Sequence, residues 1–277
     1  MHRKKKIQKT VMTVVMLVFG FGMILPFVWM VSASFKVESD VFKYPIEWIP
    51  STWNAIENYT QVWFGKFPFS MYYWNSIKVA VITTALSALF SSMAAYGFTK
   101  MKFKGRDILF FVVLSTYMIP HQATLVPQFL IYRWVGLFDS HLGLVLLSSF
   151  SVLGTFLLRQ FFMGISNEFI ESAKIDGAGH FITFTRIVLP LMRPAIATYA
   201  ILRFIWTWND YQNPLIFIRS EAKITLQLGL AKFSDLSGVY YSLIMAGAVS
   251  AILPLLIIFI IGQKQVIEGL SSGGVKG

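Results

Sequence analysis

The stretch 166-SNEFIESAKIDGAGHFITFTRIVLP-190 is the one long polar interruption in the second half of an otherwise very apolar chain. Ser166 or Asn167 is placed to cap a helix whose first turn then holds Glu168 and Glu171, where acidic side chains suit the positive end of the helix dipole. At about 100° per residue, Phe169, Ile170, Ala173 and Gly177 share one narrow face. Glu168, Glu171, Ser172 and Asp176 lie opposite, with Ile175 alone among them. Gly177 and Gly179 end such a helix, and Pro190 closes the segment that follows. The pattern predicts a short amphipathic helix, a turn and a second short helix. Without a partner, a segment of this kind would lie on a membrane surface.

The surroundings of this stretch are those of a membrane protein. Of 277 residues, 56% are hydrophobic and only 13% are charged, against about a quarter charged in a soluble domain. Uncharged runs cover Thr10–Phe35, Val79–Thr99, Ile108–Tyr132, Ser140–Leu158 and Leu236–Gln263. Each is about long enough to cross a bilayer, which needs roughly 20 residues. A sixth apolar stretch, Pro194–Ile218, is interrupted by Arg203 and by Asn209-Asp210. The expected spans are 11–35, 76–99, 108–132, 141–162, 194–218 and 238–262, in a single transmembrane domain over 1–277, with the polar loop at 164–192. Val31-Ser32-Ala33 resembles a cleavage site, but the preceding run exceeds the about 7–15 residues of a signal-peptide core. An uncleaved first span is the expectation.

Charge placement orients the chain. With the N-terminus inside, cytoplasmic segments hold five Lys/Arg at 1–9, four at 99–107, four at 159–193 and two at 264–277, against seven in the external loops. Positive residues favour the cytoplasmic side, so both termini and the 164–192 loop are expected there. The net charge of +11 is used up in these flanks, which argues against nucleic acid as a partner. External residues 36–75 carry Trp48, Trp53, Trp63 and Trp74, suited to a belt at the membrane boundary or to contact with a carbohydrate carrier.

Glu171-Ser172-Ala173, three residues, Gly177, nine residues and Ile187-x-Leu189-Pro190 resemble the EAA signature of ATP-binding-cassette importer permeases, with Ser172 the one small-for-small departure. Further stretches are similar to its carbohydrate branch. They include Asn75-Ser76, Ala94-Ala95-Tyr96-Gly97-Phe98, Met118-Ile119-Pro120, Leu125-Val126-Pro127, Phe156 to Phe162, Ile175-Asp176-Gly177-Ala178, Trp208-Asn209-Asp210 and the end from Gly269-Leu270 to Gly277. The likeness runs in order along nearly the whole chain and looks like the second of two permease subunits in an oligosaccharide importer of the maltose type. It implies an all-α integral membrane protein of the type I importer permease fold, with six transmembrane helices and a cytoplasmic helix-turn-helix coupling loop, in the cell membrane. It also implies a homologous second permease, two ATPase subunits that bind the ATP and magnesium, and an extracytoplasmic sugar-binding protein. Glu171, Ser172, Ala173, Ile175, Asp176, Gly177, Ile187, Leu189 and Pro190 would couple to the ATPase, Ile175 as an apolar knob. A permease for polyamine, phosphate or another solute, or a scaffold without transport, are the alternatives.

Intramembrane charge marks a second region. A charged group at membrane depth costs about 2.5–3.5 kcal/mol on insertion scales and normally faces protein or water. Arg203 and Asp210 are seven positions apart, so one helix would bring them to nearly the same face, with Trp206 between and Asn209 and Asn213 close by. These five are the expected translocation path, or else a structural network holding the fifth span. Pro26, Pro120, Pro127, Pro214 and Pro254 lie in or near spans, and Gly97, Gly143, Gly154, Gly247 and Ala248 are candidates for close helix approach. No phosphate-binding Gly-x-x-x-x-Gly-Lys occurs, cysteine is absent, and His2, His121, His141 and His180 lack metal-ligand spacing. The chain is expected to be no enzyme and to hold no cofactor or metal of its own.

Overall fold

The computed structural model describes the backbone of residues 2–235 and 238–274, and the side chains of 5–234 and 238–265. The last quoted residues of the family likeness, Val275–Gly277, and the first two of the run 236–263 lie outside these. The helices are α1 (His2–Ser34), α2 (Ala55–Phe64), α3 (Phe69–Lys100), α4 (Arg106–Thr116), α5 (His121–Trp134), α6 (His141–Ser149), α7 (Val152–Met163), α8 (Glu168–Ile175), α9 (His180–Ile182), α10 (Leu189–Leu191), α11 (Arg193–Trp208), α12 (Gln212–Phe217), α13 (Leu226–Leu230) and α14 (Tyr241–Gly274). A π-helical turn, Thr183–Val188, joins α9 to α10. The one sheet among the described residues is a hairpin pairing Ser234–Asp235 with Gly238–Val239.

Among the described residues, three helical stretches are long and apolar enough to cross a membrane unbroken: Lys5–Ser34, Phe69–Lys100 and Tyr241–Gln265. Three others are bent pairs, giving up to six crossings. The run 108–132 is not one straight span. It is α4 and α5, bent by 95°. Pro120 has no amide proton and disfavours helix at Ile119, so the amides of Tyr117, Met118 and Ile119 wind down onto Leu114, Ser115 and Thr116 carbonyls at 3.0–3.2 Å. The 141–162 span is α6 and α7, bent by 43°. Ser140 and Ser151 each cap the helix that follows, accepting from the amides of Gly143 and Gly154 at 2.9 Å. The 194–218 span stops as a helix at Trp208, and α11 instead follows the 180–191 segment at a 79° bend.

The chain divides into two compact units, residues 1–70 with 229–253 and residues 71–228 with 254–277. In the first, α1 is apolar on every side and exposed along most of its length, with burial confined to its last turn at Ser32, Ala33 and Ser34, the pattern of a helix facing lipid or another subunit. The 36–75 loop that follows is tied by Asn58, whose amide donates to the Ser34 and Lys36 carbonyls at 2.9 and 2.8 Å. The buried Lys36 ammonium donates to the Glu47 carbonyl at 2.6 Å. Glu38 caps α14 by accepting from the amides of Tyr241 and Ser242 at 2.9 and 2.8 Å. Of the loop tryptophans, Trp63 packs edge-on against Phe69, whereas Trp48 and Trp53 are exposed.

In the second unit, α3, α7 and α11 meet around Tyr199, whose hydroxyl lies 2.7 Å from Ser87 Oγ. Gly154 makes this possible: a Cβ there would come within 2.2 Å of the Tyr199 hydroxyl and 2.7 Å of Ser91 Oγ. Gly97, by contrast, has open space beside it and supports no close approach. A second tie holds residues 219–226. Asp139, in the left-handed region at φ 54°, accepts from the amides of Arg219 and Ser220 at 3.0 Å each, from the Ser220 hydroxyl and from the Lys223 ammonium. Asn75 reaches the Ala222 and Ile224 carbonyls at 2.9 Å each, His141 the Lys223 carbonyl at 2.9 Å, and Tyr72 the Glu221 carboxylate. Burial raises the Asp139 pKa, but the bonds from Ser220, Arg219 and Lys223 outweigh it and hold the carboxyl below its ordinary value.

Two outcomes follow. Gly154→Leu is expected to lower the melting temperature of the detergent-purified protein, at a cost of about 1–3 kcal/mol from overpacking. Asp139→Asn is expected to speed tryptic cleavage at Arg219 and Lys223, by loss of bonds worth about 1–3 kcal/mol. Because the folded pKa is depressed, the Asp139 contribution is complete at neutral pH. It fades only as pH falls below the ordinary carboxylate value, so wild-type cleavage should be the same at pH 8 and pH 6.

Candidate functional site

The 164–192 segment is built from two faces with different fates. Ile170 and Ala173 of α8 are buried with Phe184 and Val188 of the π turn. Ile170, Phe184 and Val188 share one cluster with Ala95 and Tyr96 at the end of α3, Leu158 and Phe162 of α7, and Met192, Ala195 and Tyr199 at the start of α11. Polar ties reinforce it. The Lys100 ammonium donates to the Ile165 carbonyl at 2.6 Å and to Asn167 Oδ1 at 2.9 Å, and the Tyr96 hydroxyl lies 3.2 Å from His180 Nδ1. Ser166 rather than Asn167 serves the start of α8, accepting from the Glu168 amide at 3.2 Å. Gly177, at φ 78°, makes the turn; Gly179 does not need its freedom.

The outward face carries Glu171, Ser172, Asp176 and Gly177, all exposed, with Ile175 the most exposed of the apolar groups at 86%. Phe169 faces outward too, although its position on the helix pairs it with Ile170. Ala173 belongs to the inward face, so it seats the loop and presents nothing to a partner. Ile187 and Leu189 are half-buried, while Pro190 is exposed within α10. Phe181, 74% exposed, was not singled out by sequence. In an α-helix it would share the buried face of Phe184 and Val188. The wider π turn between them breaks that register.

The second region is rearranged more strongly. Arg203 and Asp210 are not on one helix, because α11 ends at Trp208 and Asn209 is its C-cap. They form no ion pair: Arg203 Nη2 donates to the Ser148 carbonyl of α6. Asp210 starts α12, accepting from the Asn213 amide at 3.1 Å and from Asn213 Nδ2 at 2.7 Å. Two residues that the sequence reading did not place here bond to these side chains. His121 Nε2, at the start of α5, lies 3.3 Å from Asn213 Oδ1, and Gln227 Nε2 of α13 donates to Asn209 Oδ1 at 3.4 Å. His121 follows Pro120, so the break in the third apolar run was the one available signal. Trp206 and Tyr211 are exposed at 41% and 44%. Asp210 and Asn213 are thus joined to His121 and Asn209 to Gln227 in two hydrogen-bonded sets, while Arg203 bonds to α6 and interacts with Asp210 only electrostatically.

Comparison with known proteins agrees with this anatomy. Residues 87–268 match the family described as the binding-protein-dependent transport system inner membrane component. The arabinooligosaccharides transport system permease protein AraQ of Bacillus subtilis (strain 168) is 38% identical over 223 residues, covering 80% of this chain and 79% of that protein. The trehalose transport system permease protein SugB of Mycobacterium tuberculosis (strain CDC 1551 / Oshkosh) is 35% identical, covering 94% and 95%. A crystal structure of a bacterial ABC transporter involved in import of the acidic polysaccharide alginate contains a chain that is 26% identical and superposes with a TM-score of 0.83, covering 95% of this chain and 97% of that one. With its apolar crossings and its inward-seated, outward-facing loop, this chain belongs to the family of binding-protein-dependent transport system inner membrane components, as a multi-pass permease subunit of an ABC transporter.

Proposed function

We propose that the chain is the transmembrane subunit of an ATP-driven importer that moves a sugar or oligosaccharide by alternating access. The relatives named for arabinooligosaccharide and trehalose transport support the substrate class. ATP hydrolysis is assigned to two separate ATPase subunits, and the other half of the pathway to a homologous permease. An external sugar-binding protein delivers the substrate; a solved alginate transporter of the same fold is in complex with a pentasaccharide-bound periplasmic protein. Both termini and the 164–192 loop face the cytoplasm, in keeping with the clustering of Lys and Arg.

The observation that carries the mechanism is the division of the loop. Its inner face is locked into the ends of α3, α7 and α11, and its outer face offers Ile175 and Phe181 beside Glu171 and Asp176. Closure of the ATPases would push on the outer face, and the inner face would pass that displacement to three transmembrane helices together. Exposed apolar side chains on an otherwise polar turn are what a docking cleft would cover.

The test is to purify the chain with its co-encoded partners, reconstitute the complex and assay ATPase activity with loaded and empty binding protein. Stimulation only by sugar-loaded binding protein is expected. Stimulation by a polyamine or phosphate alone would replace the substrate class, and a complex without any stimulation would favour a scaffold. Ile175→Glu, at a site too exposed to disturb folding, is expected to weaken docking by about 2 kcal/mol or more and abolish the stimulation. Full stimulation in Ile175→Glu and in Glu171→Lys would refute the docking role of this face.

A further inference from the structure

We propose that residues 42–49, in the loop after α1, are an interfacial anchor whose exposed side chains seat in the headgroup boundary of the lipid leaflet where α1 ends. The inference concerns the membrane and not the solute, so it stands apart from the importer reading.

Ties to two crossings set the depth of this segment. Phe35 stacks on Trp53 at 5.5 Å, and Lys36, just past the end of α1, donates its ammonium to the Glu47 carbonyl at 2.6 Å. Phe42 packs against Trp29 of α1 at 5.8 Å and edge-on against Tyr241, the first residue of α14, at 4.8 Å. Trp29 lies five residues before Ser34, the last of α1. At 1.5 Å per residue that is about 7–8 Å back along the span. The segment therefore turns back beside the two crossings, to a level inside the end of α1. Interfacial elements bury their apolar face to a similar depth, about 5–10 Å.

The side chains divide in keeping with that depth. Val41 is buried, whereas Phe42, Tyr44, Ile46, Trp48 and Ile49 are exposed, Tyr44 at 89% and Ile49 at 78%. The Glu47 carboxylate is engaged within the loop, accepting from the Ser51 hydroxyl at 2.8 Å. Apolar groups gathered in this way mark a surface that something covers.

Lipid is the occupant that the composition and the position fit. Tyr and Trp are the side chains enriched at the headgroup level. Lys43, whose ammonium lies 3.9 Å from Glu47 Oε1, can lay its stem on apolar surface and keep its charge among the phosphates. The core of a protein interface, by contrast, is depleted in Lys. Through Trp29 the patch also continues onto α1, where Phe27, Val28 and Val31 are exposed and apolar. The backbone limits the depth. Residues 42–49 form no helix or strand, and irregular backbone facing lipid is stable only where headgroup water can satisfy it. The segment thus belongs at the boundary and not in the hydrocarbon.

The chain lacks cysteine, so Tyr44→Cys, Ile46→Cys and Ile49→Cys can each carry a single spin label in the transporter assembled with cysteine-free partners. All three positions are exposed, so the substitutions leave the fold intact. The assembly is placed in nanodiscs of phosphatidylcholine and phosphatidylglycerol. Accessibility of each label to oxygen and to a water-soluble nickel chelate, calibrated with spin-labelled lipids, gives its depth. All three labels are expected within about 10 Å of the phosphate level on the hydrocarbon side, with oxygen favoured over the chelate. Ready access for the chelate at any of the three would place the segment in water. Exclusion of both reagents would place it under a protein partner. Either result overturns the anchor.

Discussion

The structure of the second unit depends on one apolar contact, the seating of α8 and the π turn on the ends of α3, α7 and α11. Ile170, Phe184 and Val188 are each nearly inaccessible to solvent, and burial of such side chains contributes about 1.5–3 kcal/mol apiece. A short amphipathic helix has no stability of its own in water, so this contact is what makes the polar loop a defined object. It also makes the loop mechanically continuous with the crossings. Tyr96 of α3 touches Phe162 and Phe184, with ring centroids 6.4 and 5.2 Å away, and Tyr199 continues the cluster into α11.

The broken crossings follow from a second constraint. Backbone amides and carbonyls in hydrocarbon must be satisfied by protein, so each break is paired with a local substitute. The chain winds down by i→i+3 bonds before Pro120, serine hydroxyls cap α6 and α7, and Asp210 caps α12. The third of these gathers polar side chains. Ending α11 at Trp208 turns Asn209, Asp210 and Asn213 toward His121 and Gln227, side chains far apart in sequence. A continuous helix would have lined them up with Arg203 instead.

This is also why the two regions differ in how far they could be read from residues alone. The 164–192 loop was legible because its signals are local: capping serine, acidic first turn, glycine turn and a spaced motif within 25 residues. Even there, helical period paired Phe169 with buried Ile170 although it faces outward, and it could not place Phe181, because the π turn that follows changes the angle per residue. The spans were legible as apolar runs but not as bent pairs. A run such as 108–132 has no charge to mark where Pro120 divides it. The polar cluster and the Asp139 tie were not legible, because they join residues distant in sequence: His121 with Asn213, Gln227 with Asn209, and Asp139 with Ser220. Nothing in either local stretch announces its partner.

The central claim is that loop and helices move as one body. The chain has no cysteine, so Val81→Cys on α3 and Ser172→Cys on α8, both exposed positions, can be spin-labelled without background in the assembled transporter. Pulsed electron-resonance distances between them should be unchanged between the nucleotide-free and ATP-trapped states, while distances from Ser172 to a label on the partner permease shift. A change in the Val81–Ser172 distance comparable to the shift across subunits would contradict the account, because the loop would then be hinging on the helices instead of driving them.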